Sequence, residues 1–244
     1  MFFFLVDVFI YDPFIGLLFT PVLLLTFGVS ILTALTVHEY GHAYVAHLLG
    51  DSTARESGRL SFNPIKHLDL FGTLMFIFVG FGWGKPVPIN FYLLKKSPIS
   101  LALIAGAGPA TNFFCAIIIS IFVRMLNIGP VPFGYALNPQ YMLANINSLD
   151  IWLGTLATFM VFYNLMLGLF NLIPLAPLDG SKILIGLAPR HLIPVLLRFE
   201  SKGIILLFLL IGIDIFFGVS IIGNIVLPPL SLLSEILLGE MIIN

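Results

Sequence analysis

The chain has 244 residues, of which 59% are hydrophobic and only 9% are charged. A soluble domain carries about 25% charged residues, so this balance, with a mean hydropathy of +1.09, excludes an ordinary globular protein and indicates several membrane spans. A net charge of −1, with no Lys/Arg run beyond Lys95-Lys96, excludes a nucleic-acid partner, and a single Cys115 excludes a disulfide framework within one chain.

In chain order, Phe2–Phe19 is apolar but interrupted by Asp7, Asp12 and Pro13. It lacks a positive n-region and a small-residue cleavage site, so it reads as an interfacial segment or a lead into the first span, not as a removable signal. Thr20-Pro21 is an expected helix start, with Thr20 as N-cap and Pro21 at the first position. The helix then runs to Leu49 and stops at Gly50-Asp51, a length of ~43 Å that crosses a bilayer with some tilt. Asp51–Asp69 is polar. Leu70–Gly84 is apolar but short and carries Gly72, Gly80, Gly82 and Gly84, which suits a re-entrant segment better than a spanning helix. Lys85-Pro86-Val87-Pro88 leaves the membrane.

Ile99–Arg124 is the second span, followed by a loop over Asn127–Asp150. Ile151–Ile173 is the third, broken by Pro174 and Pro177. Ser181–Lys202 is a polar-studded connection. Gly203–Phe217 and Ile221–Leu237 add one or two further passes, with Pro228-Pro229 weighing against the last. The fold class is therefore an all-α polytopic membrane protein. With Leu70–Gly84 re-entrant, the Lys and Arg residues divide 10 to 1 between the two sides, and with it spanning they divide 4 to 7. The positive-inside rule favours the re-entrant topology and places the basic side in the cytoplasm.

His38-Glu39-Tyr40-Gly41-His42 is an H-E-x-x-H pattern. On a helix, positions i and i+4 share a face, so both imidazoles can bind one zinc while Glu39 deprotonates a water at the metal. Counted back from Leu49, His42 lies ~11 Å and His38 ~17 Å from the helix end, below the membrane surface on the cytoplasmic side. Ionisable residues at that depth are costly and tend to be functional or paired. The bland alternative, polar residues hydrogen-bonded together to glue helices, does not require this spacing.

Two histidines leave tetrahedral zinc short of a third protein ligand. The candidate is Asp179, in Asn171-Leu172-Ile173-Pro174-Leu175-Ala176-Pro177-Leu178-Asp179-Gly180, where the prolines interrupt the helix. Spacing alone leaves open whether Asp179 is a ligand or a carboxylate in an ordinary cytoplasmic loop. Asn171 is a candidate amide donor to a developing oxyanion, or else makes a helix-end hydrogen bond. His47 lies about 140° around the helix from His42 and points elsewhere. His67 and His191 read as solvated loop residues, Asn112 as an interhelical hydrogen bonder, Lys85, Lys95 and Lys96 as interfacial anchors, and Cys115 as a small packing residue.

His38–His42, Gly108-Pro109-Ala110-Thr111-Asn112 and Asn171–Gly180 resemble, in order, the three sequence hallmarks of the site-2 protease family of intramembrane zinc metalloproteases. Gly82-Trp83-Gly84-Lys85-Pro86-Val87-Pro88-Ile89-Asn90 resembles a segment of its short prokaryotic members. The likeness covers roughly residues 20–187 of a chain read as one domain over 1–244. It implies a core of three helices carrying the hallmarks in turn, a re-entrant and partly β-structured segment after the first, and Asp179 as third ligand of one Zn2+ per chain. It implies a prokaryotic cell-membrane enzyme that cleaves transmembrane protein substrates in the lipid bilayer, without a PDZ-like or nucleotide-binding regulatory domain. Two other classes stand beside it. A metal or proton transporter would continue polar residues through the bundle, where the far half of the first helix offers only Thr26, Ser30, Thr33 and Thr36. An inactive membrane partner would not need Glu39.

Overall fold

Helix α1 runs from Pro13 to Leu48 and, at 36 residues, is ~54 Å long. The computed structural model describes residues 13–79, 82–90, 93–94 and 98–239. The stretch before Pro13, and Gly80, Lys95 and Lys96, lie outside the described residues. Helix α1 starts earlier than the Thr20-Pro21 signal suggested, and Pro21 sits inside it. Thr20 Oγ1 has no hydrogen-bond partner and caps nothing. Proline is tolerated within membrane helices because neighbouring groups and local backbone adjustments re-satisfy the backbone groups it frees. The C-terminus ends as expected. Gly50 takes φ +101°, its N–H donates to His47 O at 3.1 Å, and Asp51 N–H donates to Ala46 O at 2.9 Å, the paired bonds of a Schellman stop.

Beyond a short helix at Thr53–Glu56 and a 3₁₀ turn at Pro64–Lys66 lies α2, Leu70–Val79. Its 10 residues reach ~15 Å, half of a bilayer core. The chain then doubles back. A Cβ built on Gly72 would lie 2.0 Å from Trp83 O, so glycine alone permits the approach. Leu68 pairs with Gly84 in an antiparallel bridge, and Lys85 N–H donates to His67 O at 2.8 Å. The two ends of the segment thus lie side by side, an arrangement a spanning helix cannot have. Among the described residues this single bridge is all the β structure, short of the partly β segment expected.

Helices α3 (Pro98–Met125) and α4 (Leu149–Asn171) pack against α1 and against each other. Helix α5 (Asp179–Leu187) packs on α3. Helix α6 (Ile193–Phe217) and α5 occupy most of what read as a polar connection, and Gly203–Phe217 is only the later part of α6. Helix α7 (Ile221–Leu238) is continuous despite Pro228-Pro229. Four described helices, α1, α3, α4 and α7, are long and apolar enough to cross a membrane. At one end of the bundle Phe19, Leu23, Met142 and Phe159 form a closed apolar cluster. Within that half of α1, Thr26 donates to Val22 O at 2.9 Å and Ser30 to Thr26 O at 2.7 Å, so these hydroxyls are satisfied by their own helix.

Candidate metal centre

Residues His38 and His42 stand one turn apart on α1 with ring centroids 4.6 Å apart and planes at 89°. Asp179, in the first turn of α5, completes a triangle. Its Oδ2 lies 3.0 Å from His38 Nε2 and 3.1 Å from His42 Nε2, and the two Nε2 atoms are 3.1 Å apart. All three residues are buried. Helix α3 supplies the facing wall. A Cβ built on Gly108 would fall 2.5 Å from His42 Nε2 and 2.7 Å from His38 Cε1, so any side chain at 108 would occupy the place of the imidazoles.

Both Nδ1 atoms are held by acceptors. His42 Nδ1 lies 2.7 Å from Ile104 O, a backbone carbonyl that can only accept, so Nδ1 carries the hydrogen. His38 Nδ1 lies 2.6 Å from Asn112 Oδ1. A neutral imidazole with Nδ1–H bears its lone pair on Nε2. Two such lone pairs and a carboxylate oxygen therefore point into one small buried volume, an arrangement that a cation relieves. Ligands at ~2.0–2.1 Å around a tetrahedral zinc stand ~3.3 Å from one another, close to the observed edges. The residues fit the metal.

Glu39, between the two histidines, is buried at 8% exposure. Its Oε1 faces the backbone of Gly84, where a Cβ would lie 3.2 Å away. The 82–90 segment crosses here and is tied down at several points. Buried Arg59 donates through Nη2 to Lys85 O. Asp51, wholly buried, accepts from Thr53 N–H at 2.9 Å and from Asn90 N–H at 2.6 Å. Burial pushes the Asp51 carboxyl up, and the hydrogen bonds from Thr53 and the Asn90 backbone outweigh it, holding it below its ordinary range. Burial lowers the Arg59 pKa, opposed in part by the Glu39 carboxylate. Burial likewise lowers the His67 pKa, which keeps that ring neutral. Its Nε2–H donates to Ser61 O at 2.7 Å. His67 is thus a buried loop strut, not the solvated residue expected, because the returning 82–90 segment covers it.

Asn171 is the last residue of α4 and donates through Nδ2 to Leu167 O at 3.0 Å, the helix-end bond of its alternative reading. A second N–H of the amide points elsewhere. His47 lies 3.3 Å from both Ser52 Oγ and Arg55 Nη1, away from the triangle, and His191 is exposed. Asn112 does bond between helices, to Ala34 O at 2.9 Å and Asn164 Oδ1 at 3.0 Å. Its contact with His38 went unread, although its place one turn after Gly108 on the same face of α3 was a usable signal. The roles of Ile104 O, Arg59 and Asn164 had no signature in sequence, since a backbone carbonyl has no residue type and the others act across long separations.

Comparison with known proteins accords with this geometry. The profile of peptidase family M50 matches residues 26–211. YwhC of Bacillus subtilis (strain 168), named as an inferred zinc metalloprotease, is 38% identical over 208 residues, covering 84% of this chain and 84% of its own. Rip2 of Mycobacterium tuberculosis (strain ATCC 25618 / H37Rv), named in the same way, is 28% identical over 154 residues, covering 61% of this chain and 52% of its own. No solved structure matches at a comparable level of significance.

Proposed function

The chain belongs to peptidase family M50, the site-2 protease family of membrane zinc metalloproteases, and from that premise we propose that it hydrolyses peptide bonds within or beside transmembrane segments of other membrane proteins. The observation that carries the proposal is the buried triangle of His38, His42 and Asp179, with Glu39 on the same turn of α1. In this reading the three side chains hold one Zn2+ per chain. Zinc held there supplies Lewis acidity toward the scissile carbonyl and lowers the pKa of water at the site toward ~7.

The chain's own residues do the rest. Asn112 and Ile104 O hold the two Nδ1–H groups and so present both Nε2 lone pairs to one point. The carboxylate of Glu39 takes a proton from the attacking water and passes it to the leaving amine nitrogen, which departs neutral. The free N–H of Asn171 is the donor assigned to the developing oxyanion. The tied 82–90 segment covers Glu39 and limits water around it. A substrate helix must unwind locally for its peptide bond to reach this point. The site opens toward the cytoplasm, as the 10 to 1 division of basic residues argues. A permeation path is disfavoured, because Thr26 and Ser30 bond back to their own helix and the far end of the bundle is apolar.

The test is cleavage of a purified single-span substrate in liposomes with zinc, comparing wild type with Glu39→Gln. We expect cleavage to fall about 100-fold to 10,000-fold with zinc still bound. Equal cleavage by the variant would sink the mechanism.

A further inference from the structure

A chain of three polar side chains crosses the apolar bundle from α4 through α3 to α1, and its hydrogen bonds leave each amide one orientation. Asn164 donates through Nδ2 to Met160 O at 2.8 Å. A carbonyl can only accept, so Asn164 turns its Oδ1 toward α3. There it accepts from Asn112 Nδ2 at 3.0 Å, and the other Asn112 N–H goes to Ala34 O at 2.9 Å. Both donors of Asn112 are thereby used on groups that only accept. The atom facing His38 Nδ1 at 2.6 Å must be Oδ1. Neutral His38 facing an acceptor must protonate Nδ1 and leave Nε2 bare. Asn112 and Asn164 are each 0% exposed, so no water substitutes for any link.

We propose that Asn164 and Asn112 form a relay that selects the tautomer and ring orientation of His38, and that both are positioning residues for metal affinity. Asn164 acts although it touches no member of the triangle. Few residues other than Asn serve at 112. A neutral Asp offers one donor where Ala34 O and Asn164 Oδ1 need two, and Gln sets its amide one methylene too far out. If the two amides served only to hold helices together, they would alter stability and leave metal binding unchanged. The inference rests on the zinc reading given above, and it concerns affinity, which can be measured without turnover.

The experiment measures zinc affinity of the full chain in detergent by competition with a chromophoric chelator. The visible absorption of the Co2+-substituted site and a melting curve are recorded for the same samples. Asn112→Leu should weaken zinc about 10- to 100-fold, the range seen when the partner of a ligating histidine is removed. Asn164→Leu should weaken it by less, about 3- to 10-fold, because the His38–Asn112 bond survives without its anchor. The double variant should bind as Asn112→Leu does, since the relay is already cut. Asn164→Asp, neutral in so apolar a place, donates its O–H to Met160 O and still accepts from Asn112, and so should stay within about 3-fold of wild type. Asn164→Ala perturbs the packing less than Asn164→Leu and carries the same expectation. If both Asn164→Leu and Asn164→Ala bind zinc as wild type does while melting lower, the relay is refuted. If wild type binds no zinc, or His38→Ala binds it equally well, the zinc reading itself fails, which is a different result.

Discussion

Substituting Gly108 by Ala adds one methyl group where the structure leaves no room for it. Its Cβ would stand 2.5 Å from His42 Nε2, 2.6 Å from His42 Cε1 and 2.7 Å from His38 Cε1. Ordinary contacts between heavy atoms lie at ~3.5–4.0 Å, so each imidazole must retreat by about 1 Å. Neither ring can do so freely. His42 is pinned through Nδ1 to Ile104 O at 2.7 Å and His38 to Asn112 at 2.6 Å. Zinc ligation tolerates displacements of only about 0.2 Å. We therefore expect Gly108→Ala to lower zinc affinity by at least about 100-fold, with an overpacking cost of ~1–3 kcal/mol in unfolding free energy. Gly106→Ala is the internal control. It lies two positions away on the same helix, and its Cβ would meet only Ile183 Cδ1 at 3.9 Å. Relief of glycine's conformational entropy should make that variant neutral to ~1 kcal/mol more stable, with zinc affinity intact. Chelator competition and thermal melting of both variants in one detergent give the comparison. Wild-type affinity in Gly108→Ala would mean that α3 does not press on the two histidines as described, and the reasoning would fail.

Four further outcomes are expected. Zinc should raise the melting temperature of wild type, by the equivalent of ~4 kcal/mol at a thousandfold excess over Kd, and EDTA should reverse it. Asp179→Ala should melt at one temperature with or without metal, and a zinc-dependent shift in that variant would remove Asp179 from the ligand set. Asp51 has a folded pKa below its ordinary 3.8, so its contribution to stability is complete above 3.8 and is lost as pH falls through the lower folded value. Asp51→Asn should be less stable at neutral pH and lose this acid dependence, which melting curves between neutral and strongly acidic pH will show. Asn171→Ala should lower kcat about 100-fold to 1,000-fold with KM unchanged. An unchanged kcat would leave Asn171 with only its Leu167 hydrogen bond.

Much of this protein was legible locally. The stop at Gly50-Asp51 depends on residues within one turn of each other, and so does the placing of His38 and His42 on one face. Helix signals tuned to water misled where the surroundings are apolar. Pro21 read as a start and Pro228-Pro229 as weighing against the last pass, yet they lie inside α1 and α7. The polar run Ser181–Lys202 read only as a polar-studded connection, yet α5 and the start of α6 occupy most of it. His67 read as solvated because nothing near it in sequence announces that residues 82–90 return over it.

By itself the sequence determined the membrane class, the spans of α1, α3 and α4, and a paired-histidine motif with its glutamate, because each of these follows from composition or from the 3.6-residue period. Only the tertiary structure decided what surrounds the motif. Asp179 reaches His38 across 141 positions, Asn112 reaches it across 74, and Asn164 joins Asn112 across 52. Helix geometry relates residues one turn apart and carries no information over such separations. Those contacts arise from how α1, α3, α4 and α5 pack, and packing is where each buried polar group finds the partner that its neighbours in sequence do not name.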